Sequence, residues 1–118
     1  MKKLLLIEDN EDNAFLFRTL IATRDYQLVE ARTGLQGVEL AGSDEFDLIL
    51  MDIQLPDING LEATRRIRAA QGEEITIIAV TSYAMTGDRE RCLTAGCNGY
   101  IEKPIDPQQF LHDLDKYL

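Results

Sequence analysis

The stretch Leu48-Ile49-Leu50-Met51-Asp52-Ile53-Gln54-Leu55-Pro56-Asp57-Ile58-Asn59-Gly60 decides how this chain is read. Four consecutive apolar residues end on an acid, and Pro56 and Gly60 then mark a turn. A short, continuously apolar run fits a strand covered on both faces, where a half-exposed strand would alternate. Beyond the turn, Asn59 can cap a helix, with Glu62 three residues on as in a capping box. Leu61, Thr64, Ile67 and Arg68 then recur at helical spacing. The segment predicts a strand, a loop and a helix, with a carboxylate at the carboxyl end of the strand.

The same unit recurs on both sides of this segment. Apolar runs at 4–7, 27–31, 75–80 and 99–102 predict four more strands. Between them, Phe15, Leu16, Leu20 and Ile21 form one helical stripe, and Phe110, Leu111, Leu114 and Leu118 another. Asp106 followed by Pro107 is a good helix start, and Gly72, Gly96 and Gly99 fall where elements should end. Five β-α units in a row predict an α/β domain over residues 1–118, with a parallel sheet, helices on both faces and right-handed crossovers. In such a sheet the site lies at the carboxyl ends of the strands. That rule selects Glu8-Asp9, the turn after Ala31, Met51-Asp52, Thr81-Ser82 and Lys103-Pro104.

Bulk properties narrow the function. The chain has 118 residues, 45% of them hydrophobic and 28% charged, enough for a core and a solvated surface. A net charge of −9 argues against binding nucleic acid or anionic lipid, which needs a lysine- and arginine-rich face. It is compatible with divalent cations and basic partners. No apolar run approaches the roughly 20 residues of a membrane span, and the acids from Glu8 to Asp12 interrupt the early apolar stretch too soon for a signal peptide. Cys92 and Cys97 lack metal-ligand spacing and make no disulfide framework, so a reducing cytoplasm is expected.

If the first and third strands are neighbours, Glu8, Asp9 and Asp52 converge in one shallow pocket. Like charges this close disfavour ionisation unless a cation neutralises them. Oxygen-only ligands at a partly open site suit Mg²⁺. Lys103 brings a positive charge to the same rim from the fifth strand, and Thr81 a hydroxyl from the fourth. A carboxylate beside Mg²⁺ and a lysine can attack phosphorus and form an acyl phosphate.

These residues carry a family resemblance. Glu8-Asp9, the run from Met51 to Gly60, Thr81, and Gly99-Tyr100-Ile101-Glu102-Lys103-Pro104 resemble the receiver-domain signature of two-component response regulators, the CheY-like superfamily, over essentially the whole chain. The resemblance implies a flavodoxin-like sheet of strand order 2-1-3-4-5 with five helices. It implies that Asp52 is the phosphoacceptor, with Mg²⁺ held by Asp9 directly, by Glu8 mainly through water, and by Asp52 and the backbone carbonyl of Gln54. Lys103 would contact the phosphoryl group, Thr81 and Tyr100 would be the coupled switch pair, and Lys103-Pro104 would be a cis peptide. The phosphodonor would be a histidine kinase or histidine phosphotransfer protein. The output would be a downstream protein docking on the fourth helix, fifth strand and fifth helix, near residues 85–95, Tyr100 and 107–118. The expectation is a phosphoacceptor signalling protein of the bacterial cytoplasm, catalysing only its own phosphoryl transfer and hydrolysis. The segments 51–60 and 79–104 look close to single-domain regulators of the DivK type; a receiver cut from a hybrid histidine kinase is the alternative.

Plainer readings exist beside these. Glu8 to Asp12 could be a solvated acidic turn at a helix start. Thr81 and Ser82 could cap the fourth helix, and Tyr100 could be an ordinary strand aromatic. His112 reads as a surface residue, Cys92 and Cys97 as packed thiols, Met85 as packing or partner surface, and the Phe15, Leu16, Phe17 cluster as core with one exposed edge. Two rival functions fit less well. A haloacid-dehalogenase-like aspartyl phosphatase needs a second acid two residues after its nucleophile, where this chain has Gln54. A flavodoxin binds its phosphate in a hydroxyl- and glycine-rich first loop, where this chain has Glu8-Asp9-Asn10-Glu11-Asp12.

Overall fold

Leu5, Ile7, Ile49, Met51, Ile77 and Ala79 lie in one buried cluster, while Leu4, Leu6, Leu48, Leu50, Ile78 and Val80 lie in another. This period of two sends alternate side chains to opposite faces of a sheet that is apolar on both sides. In the computed structural model, which describes residues 1–82 and 88–118 and only the backbone of Asp88, five strands form that sheet. They are β1 (Lys2–Ile7), β2 (Tyr26–Ala31), β3 (Leu48–Asp52), β4 (Thr76–Thr81) and β5 (Gly99–Glu102). The helices are α1 (Glu11–Ile21), α2 (Gly34–Ser43), α3 (Gly60–Gln71), α4 (Asp88–Ala95) and α5 (Pro107–Tyr117).

All pairings are parallel and the strand order is 2-1-3-4-5, as the resemblance implies. α1 and α5 cover one face through Ala14, Phe17, Ile21, Phe110 and Leu114, with the Phe17 and Phe110 rings 5.2 Å apart. α2, α3 and α4 cover the other through Ala41, Ala63, Ile67 and Cys92. α2 packs closely on the sheet at Gly37. A Cβ on Gly37 would lie 2.3 Å from Cδ1 of Ile7, so any larger residue there requires the Ile7 side chain to shift.

Two sequence expectations need correction. The buried stripe of α1 is Ala14, Phe17 and Ile21, whereas Phe15 is 61% exposed. Spacings of three and four keep those three on one face, and Phe15 is the exposed edge of its cluster. Arg68 does not belong to an apolar stripe. Its guanidinium donates to the carbonyls of Gly96 (2.9 Å), Gly72 (3.1 Å) and Ile75 (2.6 Å) and to Oδ1 of Asn98 (2.7 Å). It thereby ties the end of α3 to the start of β4 and to the turn after α4. Gly96 has φ +117°, and a Cβ there would meet Arg68 Cγ at 2.8 Å.

The expected helix starts are present. Asn59 Oδ1 accepts the Glu62 N–H at 2.9 Å, and Asp106 Oδ1 accepts those of Gln108 and Gln109. Glu62, however, turns its carboxylate to Arg66 at 2.9 Å and Arg65 at 3.4 Å rather than back to Asn59. Gly72 ends α3 with φ +86°, while Gly99 opens β5. His112 is exposed and both thiols are buried. Met85 lies outside the described residues.

Candidate functional site

The order of the strands creates the site. The crossover from β1 places β2 on one side of it and the next, from β2, places β3 on the other, so a crevice opens between the carboxyl ends of β1 and β3. Ile7 pairs with Met51, which places Glu8-Asp9 and Asp52 side by side as the two strands end. One carboxylate oxygen from each of Glu8, Asp9 and Asp52 lies within 4.8 Å of the others. Glu8 and Asp52 are buried, 1% and 3% exposed, while Asp9 is open to solvent. The pocket is therefore accessible on one side and lined with protein on the other.

Lys103, carried by the turn after β5, reaches across to Glu8 Oε1 at 3.0 Å and Asp52 Oδ1 at 3.4 Å. It is positioned by its own N–H, which donates to the Thr81 carbonyl at 2.8 Å, and is followed by a cis bond to Pro104. Three carboxylates facing one ammonium leave a formal excess of two negative charges. The electrostatic strain falls on Asp52: burial above all, then the hydrogen bond and charge of Glu8, raise its pKa from 3.8 to about 7. Lys103 and the Gln54 N–H, which donates to Asp52 Oδ1 at 3.1 Å, offset part of this. An oxygen-lined pocket, open on one side, in which the described residues supply three carboxylates and one ammonium, is chemically suited to a small divalent cation.

The loop after β3 curls back on the strand it leaves. Gly60 donates its N–H to the Ile53 carbonyl at 2.8 Å, and a Cβ there would lie 2.3 Å from the Asp52 carbonyl oxygen. Only glycine allows this approach, which is why Pro56 to Gly60 can fold tightly against the backbone of Asp52. Thr81 ends β4 and is 2% exposed. Ser82, next in the chain, donates from Oγ to Gln54 Oε1 at 2.8 Å and so links the ends of β3 and β4, a contact that sequence reasoning missed. It also missed that Asp57 accepts the N–H groups of Gly34 and Leu35, at 2.8 Å each. These partners are 22–23 positions apart, so no local pattern points to them.

Tyr100 stands on β5, half-buried, between two small hollows. One, of about 190 Å³, is bordered by Pro104, Asp106, Phe110 and Asp113; the other, of about 220 Å³, by Arg89, Leu93, Asn98 and Tyr117. A wider groove of about 690 Å³ lies at the opposite end of the sheet, lined by Lys3, Asp44, Phe46, Asp47 and Glu74, remote from Asp52. Among the described residues, no helix is long and apolar enough to cross a membrane.

Comparison with known proteins agrees with this architecture. A family model described as the response regulator receiver domain matches residues 4–115. The polar-differentiation response regulator DivK of Brucella ovis is 44% identical over 118 residues, covering 99% of this chain and 96% of that protein. The receiver domain of the sensor histidine kinase PA1611 of Pseudomonas aeruginosa PAO1, a structure with magnesium coordinated in the active-site cleft, superposes with TM-score 0.90 at 38% identity over 98% of this chain and 96% of that one. The chemotaxis protein CheY4 of Vibrio cholerae shares the fold, with TM-score 0.92 at 23% identity over 100% of this chain and 99% of that one. With the family signature matched along the chain and the acids gathered at the crevice of its sheet, this protein belongs to the response regulator receiver domains of two-component systems.

Proposed function

We propose that this chain is a single receiver domain spanning residues 1–118, and that it accepts a phosphoryl group on Asp52. The observation that carries the reading is the placement of Asp52: buried at the end of β3, beside Glu8 and Asp9, with Lys103 at 3.4 Å. Mg²⁺ would be held by Asp9, Asp52 and the backbone carbonyl of Gln54, with Glu8 acting mainly through water; when bound, it offsets charge on the transferring phosphoryl oxygens. An Asp52 carboxylate oxygen attacks phosphorus, the bond from phosphorus to the donor imidazole nitrogen breaks, and an acyl phosphate forms on Asp52. Lys103 contributes its ammonium to the same oxygens, and hydrolysis of the acyl phosphate resets the protein. The donor is a histidine kinase or a histidine phosphotransfer protein.

Phosphorylation replaces the carboxylate charge of Asp52 with a phosphoryl group carrying about −1.5 to −2 charges and three strong acceptors. Thr81 turns its hydroxyl to those oxygens, Tyr100 turns inward, and the face made by α4, β5 and α5 changes shape for a downstream protein. The chain acts in the bacterial cytoplasm. Relatives of both kinds are similar to this chain, the response regulator DivK and the receiver of the sensor histidine kinase PA1611. The test is incubation with a small-molecule phosphodonor and Mg²⁺, read by intact mass. One base-labile phosphoryl group is expected on the parent protein and none on Asp52→Asn; stoichiometric labelling of Asp52→Asn overturns the assignment.

A further inference from the structure

We propose that Asp57 is a positioning residue for the metal pocket, clamping the loop that carries Gln54 to the N-terminus of α2. The inference rests on the reading of Asp9, Asp52 and the Gln54 carbonyl as Mg²⁺ ligands. Ile53, Leu55 and Ile58 pack half-buried against the core, while Gln54, Pro56, Asp57 and Asn59 are exposed. Hydrogen bonds fix the exposed part of the loop. At the base, Gly60 N–H binds the Ile53 carbonyl, Gln54 N–H binds Asp52, and the Gln54 side chain accepts from Ser82. At the outer bend the fastening is Asp57, whose Oδ1 accepts from Gly34 and Oδ2 from Leu35. These bonds hold its carboxyl below the usual carboxylate range, with the Leu35 N–H contributing most.

The contact is close as well as polar. A Cβ on Gly34 would lie 2.6 Å from Ile58 Cγ1 and 3.0 Å from the Ile58 carbonyl oxygen, so the loop lies directly against the first turn of α2. α2 already has a cap of its own, since Thr33 Oγ1 accepts the Gln36 N–H at 3.1 Å. Asp57 takes the two N–H groups that Thr33 does not serve, and joins them to the segment five residues beyond Asp52. A carbonyl ligand on an exposed loop is only as well placed as the loop, and outer contacts of this kind typically govern metal affinity about ten- to a hundredfold.

The experiment measures the Mg²⁺ dissociation constant by calorimetric titration with Mg²⁺ alone, together with urea stability. Asp57→Ala and Gly34→Ala should each weaken Mg²⁺ binding about tenfold, Gly34→Ala without any change of charge, and Asp57→Asn should fall between Asp57→Ala and the parent. Asp106→Ala is the control: it also removes an acidic helix cap, on α5, and should bind Mg²⁺ like the parent. Asp57→Ala folded with the parent's affinity, or Asp106→Ala weakened equally, overturns the proposal, and Gly34→Ala decides the matter should Asp57→Ala not fold. A parent protein whose Mg²⁺ response is unchanged in Asp9→Ala instead overturns the metal reading itself, and this inference with it.

Discussion

Replacing Asp52 by asparagine should make the metal-free protein more stable at neutral pH, although it removes the proposed phosphoacceptor. Asp52 is 3% exposed, and burial together with Glu8 raises its pKa from 3.8 to about 7. Between those two values the folded protein holds a proton on Asp52 that the unfolded chain has released. Stability therefore falls as pH rises through this window, because the folded state binds the extra proton. Each tenfold change in proton affinity is worth about 1.4 kcal/mol, so the full cost of ionising Asp52 in the folded protein is about 4 kcal/mol above pH 7. Asparagine has the same shape and never ionises. Asp52→Asn should thus match the parent near pH 4 and exceed it by about 2–4 kcal/mol at pH 8, the lower figure allowing for local relaxation. The assay is urea unfolding followed by far-ultraviolet circular dichroism, in EDTA, at several pH values. Millimolar Mg²⁺ should then stabilise the parent more than the variant, since a ligand bound only by the folded state stabilises it. A stability difference that is absent at pH 8, or that does not change between pH 4 and pH 8, would refute the electrostatic account of the pocket.

Three further outcomes follow from particular contacts. Gly60→Ala must place a methyl 2.3 Å from the Asp52 carbonyl oxygen, a backbone atom that cannot step aside, so it should cost about 1–3 kcal/mol in urea unfolding; an unchanged midpoint would mean that the loop yields. Thr81→Ala should still take one phosphoryl group by intact mass, yet fail to show the amide shifts at Tyr100 and α4 that a beryllofluoride mimic produces in the parent; parent-like shifts would remove Thr81 from the switch. Cys97, buried and with its thiol pushed up to about 11 chiefly by burial, should resist iodoacetamide at pH 8 in the folded protein and react readily in urea; rapid labelling without denaturant would show that this region opens easily.

The runs at 48–51 and 75–80, Asn59 at the start of α3 and Asp106-Pro107 at the start of α5 were legible as strands and helix starts because each is a local signal: periodicity, capping and turn chemistry act over a few residues. The acids Glu8, Asp9 and Asp52 and the cation Lys103 were legible as strand-end residues for the same reason. That they meet was not, without the family likeness. Their meeting depends on β1 lying beside β3, and strand order is a property of long-range packing that no window of sequence contains. The same limit explains what was misread or missed. Phe15 and Phe17 are two apolar rings two positions apart, and only the seating of α1 on the sheet decides that Phe17 is core and Phe15 faces water. Arg68 shares its helical spacing with Leu61, Thr64 and Ile67, and only the turn holding Gly96 and Asn98 shows that its guanidinium serves carbonyls there. Asp57 looks like a turn acid until α2, more than twenty positions earlier, presents two N–H groups to it. Local chemistry in the sequence determined the elements and the kinds of group at their ends. The tertiary structure alone decided which of those groups are within 3–5 Å of one another, because hydrogen bonds and charge interactions depend on distance through space, whereas the chain between partners can be any length.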